Sequence, residues 1–254
     1  MDPTTYAAMY RLEDTHWWFV ARRELARRIL RRHLGTAPNQ VLDMGCGTGG
    51  TLDILREFGE PVGIDLEPIA LAASRERGHR RLVLGSGTAL PFASGCFDAA
   101  LALDVLEHIP DDAAAAREMA RVLRPGGLAL VTVPAYAFLW SGHDVALFHQ
   151  RRYVRGQLVQ VLEAAGLEMV WTGYTVSVLL PAAMLVRLWK KATEPKDAPP
   201  VADTRETTPW LNRLLLGILR LEAATFPWLR PWCGLTVLAV ARKPVAAPDE
   251  NHAR

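Results

Sequence analysis

A chain of 254 residues, half of them hydrophobic, can bury a full core as one domain with an elaboration, or at most two. Its formal charge of +2, from 29 basic and 27 acidic residues, leaves no large electrostatic footprint for nucleic acid. The three cysteines, Cys46, Cys96 and Cys233, are far apart and odd in number, which argues against a disulfide framework or a zinc site and suits a reducing cytoplasm; no metal is expected.

Residues about 3–34 read as a helical extension, so 1–36 is expected to form an N-terminal helical cap. Met1 to Arg11 lacks a basic-then-apolar leader pattern, and no apolar run reaches the ~20 residues that span a bilayer. The expected location is therefore the cytoplasm. His16-Trp17-Trp18-Phe19 opens a helix running to about Leu34, with Arg23, Arg27 and Arg31 on its polar face. Arg22 falls on the apolar side with Trp18, Leu25, Ala26 and Ile29, where a guanidinium needs a partner. That partner is either an internal acid or a ligand. Trp17, Trp18 and Phe19 serve either the core or a lid.

Val41-Leu42-Asp43-Met44 then runs into Gly45-Cys46-Gly47-Thr48-Gly49-Gly50, a strand entering a glycine turn before a helix. Such a turn lets the backbone approach a ligand closely, at the place where open α/β sheets bind nucleotide-like molecules. A dinucleotide site has the spacing G-x-G-x-x-G, whereas this chain has G-x-G-x-G behind Asp43. A carboxylate there disfavours a pyrophosphate and suits a ligand with an ammonium and a sulfonium, as S-adenosylmethionine has. Asp65, ending a second strand, is placed to accept hydrogen bonds from ribose hydroxyls.

The remaining pattern predicts a helix over 50–58, strand 61–65, helix 68–77, strand 81–85, strand 97–103, helix 111–121, strand 128–134, helix 155–165 and strand 167–174. A final strand follows over 235–241. This alternation implies a mostly parallel sheet with right-handed crossovers. The expected domains are a core over 37–175, completed by a last strand over 234–243, an insertion over 176–233 and a flexible tail over 244–254.

Four further motifs arrive in order: Leu90-Pro91-Phe92, Cys96-Phe97-Asp98, Asp104-Val105-Leu106-Glu107-His108-Ile109-Pro110-Asp111 and Leu123-Arg124-Pro125-Gly126-Gly127. With the glycine turn they resemble the class I S-adenosylmethionine-dependent methyltransferases with a type-11 methyltransferase domain, in the branch that includes quinone-biosynthesis enzymes. The His-Trp-Trp-Phe opening resembles a bacterial subset of these. The resemblance implies a Rossmann-like seven-stranded sheet with helices on both faces and an antiparallel last strand, plus the N-terminal extension and the helical insertion. It implies S-adenosyl-L-methionine as cofactor, held by Arg22, Asp43, Gly45, Gly47, Gly49, Asp65, Leu66, Ser86, Gly87, Thr88, Leu103 and Asp104. Where the family commonly has Gly-Asp-Ala beside the adenine, this chain has Gly85-Ser86-Gly87-Thr88, and a hydroxyl bonds less strongly than a carboxylate. Glu107 and His108 are expected to cap the next helix.

The stretch after the fifth strand crowds Trp140, His143, Asp144, His149, Arg151, Arg152 and Tyr153 together. Loops at strand C-termini line the crevice of an open sheet. His143 and His149 are therefore the candidate bases, and Trp140, Asp144, Arg151, Arg152 and Tyr153 the candidate acceptor contacts. Alternatively Asp144 pairs with Arg151 or Arg152 and only pins the loop. The insertion holds an apolar segment (176–188), a proline-rich link (194–209) and an amphipathic segment (210–229), which could form a lid, a dimer contact or a membrane foot. The expected reaction is methyl transfer to a small-molecule, sugar or lipid-linked acceptor. A non-catalytic cofactor-binding protein and a nicotinamide-dependent oxidoreductase remain the alternatives.

Overall fold

In the computed structural model, residues 3–35, 39–193 and 206–245 are described. The strands are β1 (Val41–Met44), β2 (Val62–Asp65), β3 (Leu82–Leu84), β4 (Phe97–Leu103), β5 (Leu123–Pro134), β6 (Glu168–Thr175) and β7 (Thr236–Arg242). They form one sheet in the order β3-β2-β1-β4-β5-β7-β6, parallel through β5, with β7 antiparallel to both β5 and β6. The helices are α1 (Pro3–Leu12), α2 (Trp17–His33), α3 (Gly50–Leu55), α4 (Pro68–Glu76), α5 (Asp112–Val122), α6 (Gly142–Ala146), α7 (Arg155–Ala164), α8 (Leu180–Thr193) and α9 (Pro209–Ala224). No helix among the described residues is long and apolar enough to cross a membrane.

Alternation along β5 divides the core. Ala129, Val131 and Val133 face a layer containing Met119 of α5 and Leu158 and Leu162 of α7. Leu128 and Leu130 face Ile29 and Leu30 of α2, Leu52 and Leu55 of α3, and Phe226 beyond α9. Period-two alternation puts successive side chains on opposite faces, so an all-apolar strand must be covered twice. Connections leave β1 and β4 in opposite directions across the sheet, which opens a crevice between their C-terminal ends.

The insertion packs on the N-terminal cap as well as on the sheet. Asn212 of α9 accepts from the Trp17 N–H at 2.8 Å and donates to the Thr15 carbonyl at 2.9 Å, and Arg220 pairs with Glu24 at 2.6 Å. Three local expectations are corrected. The fifth strand begins at Leu123 because that residue already pairs with Phe97, ahead of the Pro-Gly-Gly turn expected to precede it. The helix expected over 50–58 ends at Leu55. Within the 140–153 loop, α6 forms with Asp144 accepting from the Ser141 N–H at 2.8 Å at its amino end. Of the proline-rich link, 194–205 lies outside the described residues, as does 246–254 of the tail; Pro209 opens α9, where a missing N–H costs nothing.

Leu101 is fully buried on central β4. Leu101→Ala should lower the unfolding free energy by about 2–5 kcal/mol. Urea unfolding followed by circular dichroism measures this; a change within error would show the layer to be loosely packed.

Candidate active site

The turn after β1 is shaped by its glycines and held by neighbours. Gly45 has φ 72°, and a Cβ there would stand 2.6 Å from Cγ2 of Val105, so a side chain is excluded both by backbone strain and by Val105. Gly47, at φ 54°, has only the Met9 methyl near its missing Cβ, at 3.8 Å, and borders the cavity. The Asp65 carboxylate accepts from the Gly47 N–H at 2.8 Å and the Glu67 N–H at 3.0 Å. From the cap, Glu13 accepts from the Thr48 hydroxyl at 2.5 Å and the Gly50 N–H at 3.2 Å, and pairs with Arg77 at 2.8 Å. Sequence reasoning missed Glu13, because nothing in its local pattern points to partners 35 residues away.

A cavity of about 590 Å³ opens over this turn. Of the residues expected at the cofactor, Arg22, Asp43, Gly45, Gly47, Asp65, Leu66, Ser86, Gly87, Leu103 and Asp104 line it. Gly49 and Thr88 do not. Gly49 is the cap residue of α3 and packs on Ser74, while Thr88 is turned onto the Ser86 hydroxyl at 2.9 Å. Trp17, Trp18 and Phe19 also border the cavity, with Phe19 buried and the two tryptophans half-buried. Arg22 forms an ion pair with Asp104, whose backbone is held at φ 56°. Burial pushes Asp43 up to about 8, with Arg22 opposing and Asp65 and Glu13 adding to the shift. Burial thus disfavours the ionised carboxylate at Asp43, a cation beside it favours it, and its Oδ2 has no hydrogen-bond partner among the described residues.

The other wall comes from the loop after β4 and the stretch after β5: Glu107, His108, His143, His149 and Arg152. Of the side chains expected as acceptor contacts, Arg152 lines the cavity and the others lie outside it. Asp144 is fully buried and takes Arg152 in a two-pronged pair, Nε at 2.7 Å and Nη2 at 3.0 Å; it also accepts from the Ser141 N–H at 2.8 Å and meets His149 Nδ1 at 2.9 Å. Tyr153 is buried and donates to Asp112 at 2.7 Å, and Arg151 reaches Asp112 at 3.0 Å. Trp140, Asp144, Arg151 and Tyr153 do not line the cavity. The polar atoms of Asp144, Arg151 and Tyr153 fasten the loop to α5 and to the end of β5, as the loop-pinning alternative has it, while Trp140 is partly exposed. Burial drives His108 down to about 4, helped by neighbouring His149.

Burial alone would raise Asp144, but the hydrogen bonds from His149 and Arg152 outweigh it and hold the carboxyl well below its ordinary range. A carboxyl depressed in the folded state stabilises above its unfolded value, about 3.9, and that stability is lost as pH falls below it. Asp144→Asn should therefore cost about 3–5 kcal/mol at pH 7, by leaving Arg152 buried without its charge partner. It should also flatten the acid side of a stability-versus-pH profile. An unchanged acid slope would show that the pair does not hold the loop.

The methyltransferase-domain family model matches residues 42–131. A Mycolicibacterium smegmatis protein named "Probable S-adenosylmethionine-dependent methyltransferase" is 32% identical over 162 residues, 62% of this chain and 62% of that protein's own length. Among solved structures, a chain of the Haloferax volcanii complex containing the Trm112 methyltransferase activator is similar at TM-score 0.62 and 21% identity, covering 96% of this chain and 97% of that one. The [4+2]-cyclase SpnF is similar at TM-score 0.56 and 23% identity, covering 87% and 80%. At these identities the solved structures show the shared fold alone. The four ordered motifs all lie within residues 42–131, the stretch from β1 into β5 that matches the methyltransferase-domain family model.

Proposed function

We propose that this protein transfers a methyl group from S-adenosylmethionine to a small-molecule, sugar or lipid-linked acceptor seated against Glu107, His108, His143 and His149. The observation that carries the reading is that one cavity is lined both by the glycine turn with Asp65 and by the histidine wall. Its volume of about 590 Å³ lies within the range of cofactor and ligand sites. The residues fit the donor: Gly45 and Gly47 expose backbone, Asp65 has acceptor capacity beyond its two backbone bonds, and Asp43 lacks a partner for Oδ2. A pyrophosphate would need the amino end of α3, but Glu13 already occupies the Gly50 N–H there, which disfavours the nicotinamide alternative.

S-adenosylmethionine supplies a methyl group activated by its positive sulfur. The chain's part is orientation, exclusion of water and, for an acceptor that must lose a proton, a base. Trp17 and Trp18 cover the cavity from the cap, and His143 and His149 stand on the acceptor side. Asp144 orients the His149 ring through Nδ1, as a carboxylate does for a catalytic imidazole. Cofactor binding without methyl transfer is the second reading, and turnover separates the two.

Titration calorimetry should show S-adenosylhomocysteine binding to the wild type. Asp65→Ala should weaken it by at least about tenfold, and Gly45→Val should weaken it further. A cationic ligand favours ionised Asp43, so binding at pH 7 should release a proton and tighten as pH rises towards about 8. Tight NAD binding by the wild type would reverse the ligand assignment. With a true acceptor, loss of a base at His143 or His149 should cut turnover by about 10²–10⁴-fold while leaving cofactor affinity nearly intact. Full activity in both alanine variants would move the acceptor site elsewhere.

We also infer that the 176–233 insertion rests on a lipid surface. Leu185 and Trp189 of α8, Trp210 and Leu221 of α9, and Trp228 and Trp232 after it are exposed, Trp232 at 93%, with Arg213 and Arg230 exposed among them. Exposed tryptophans beside basic side chains suit the interface of an anionic membrane. The protein should co-sediment with phosphatidylglycerol vesicles, and Trp228→Ser with Trp232→Ser should abolish this. Retention of binding in that double variant would refute the surface.

A further inference from the structure

Glu107 sits in the short helical turn Leu106–His108 after β4, fully buried, and neither carboxylate oxygen has a hydrogen-bond partner among the described residues. An unpaired buried carboxylate is costly unless a proton or a cation meets it. A carboxylate oxygen of Glu107 and one ring nitrogen each of His108 and His149 all lie within 4.8 Å of one another. The two rings meet edge to face, with centroids 4.6 Å apart. The His149 ring is already oriented from outside, by Asp144 at Nδ1. That is how metal-ligating imidazoles are commonly held, with one nitrogen fixed by a carboxylate or backbone group and the other turned to the ion. All three side chains border the cavity, so the remaining positions around an ion would face the acceptor. Three donors at ~2.0–2.2 Å from one ion lie about 3–3.8 Å apart, so the three side chains would close on the ion by up to about 1–2 Å from the separations here.

We propose that Glu107, His108 and His149 bind a divalent first-row transition-metal ion on the acceptor side of the cavity. Two imidazoles and one carboxylate form a donor set that leaves positions open for an oxygen or nitrogen of the acceptor. The site goes beyond the methyl-transfer reading and does not depend on it, because its ligands are separate from those expected at the cofactor. The expectation of no metal rested on the cysteines, and none of these ligands is a cysteine. A bound ion makes His149 a ligand rather than a base and leaves that role to His143.

The test uses the full chain, stripped with a chelator and titrated with Co²⁺ alone, followed by visible absorption and calorimetry. One ion per chain should bind, with ligand-field bands and no thiolate charge-transfer band. Glu107→Gln, which keeps side-chain size, and His108→Ala should each weaken binding by at least about tenfold. Circular dichroism shows whether each variant is folded, and His149→Gln provides a third, independent ligand change. Asp65→Ala should lose S-adenosylhomocysteine yet keep Co²⁺, which separates this site from the cofactor reading. No stoichiometric Co²⁺ binding by the wild type, or equal affinity in any folded ligand variant, would overturn the assignment.

Discussion

The glycine turn after β1 depends on two carboxylates that lie outside it. Asp65, from the next strand, holds the Gly47 N–H, and Glu13, from the N-terminal cap, holds Thr48 and the first N–H of α3. A turn with three residues at positive φ has no regular hydrogen-bond ladder of its own, so its backbone groups must be met by side chains. The cap is thereby made part of the site: α2 brings Trp17, Trp18 and Arg22 to the cavity because Glu13, just before it, is anchored on the turn. The insertion is drawn in next, through Asn212 at the start of α2.

Satisfied and unsatisfied polar groups are distributed unevenly around the cavity. At and behind the histidine wall, Arg152, Asp144, Tyr153 and Asp112 are engaged with one another and with backbone groups. Facing the cavity, Asp43 Oδ2, both Glu107 oxygens and Arg22 Nε have no hydrogen-bond partner among the described residues. Each unmet buried group costs about 1–3 kcal/mol, more if charged, which a fold tolerates where ligands will meet it. Two of the four non-glycine residues at positive φ among the described residues, Asp104 and Phe148 at φ 56° and 58°, border the cavity, whereas Tyr136 and Val176 do not. Stability is concentrated behind the wall, and the unspent polar capacity is left in front of it.

The insertion shows why amphipathic patterns read alone are ambiguous. Leu211, Leu214, Leu215, Ile218 and Leu219 form one stripe in the sequence, yet only Leu219 is buried and Leu214 is exposed. The helix turns one edge of its apolar surface to α2 and leaves Trp210 and Leu221 outward. A hydrophobic period reports that a face is apolar, not what covers it.

The amino-acid sequence by itself determined the sheet class and the glycine-turn side of the cavity. The turn glycines, Asp43 and Asp65 are legible because strand, turn and helix succeed one another locally, so chemistry and spacing lie in one short window. What needed the tertiary structure was every interaction between distant segments. Glu13 reaches Thr48 across 35 residues, and Arg22 reaches Asp104 across 82. The 140–153 stretch was legible as chemically dense, but not which of its groups face inward, since Asp144 and His149 differ only in how α6 orients them. Similarly, Glu107 and His108 read as helix caps in sequence, and their meeting with His149 exists only because β4 and β5 are neighbours in the sheet. Local spacing sets backbone path, whereas burial and charge at a side chain depend on which other segment packs over it.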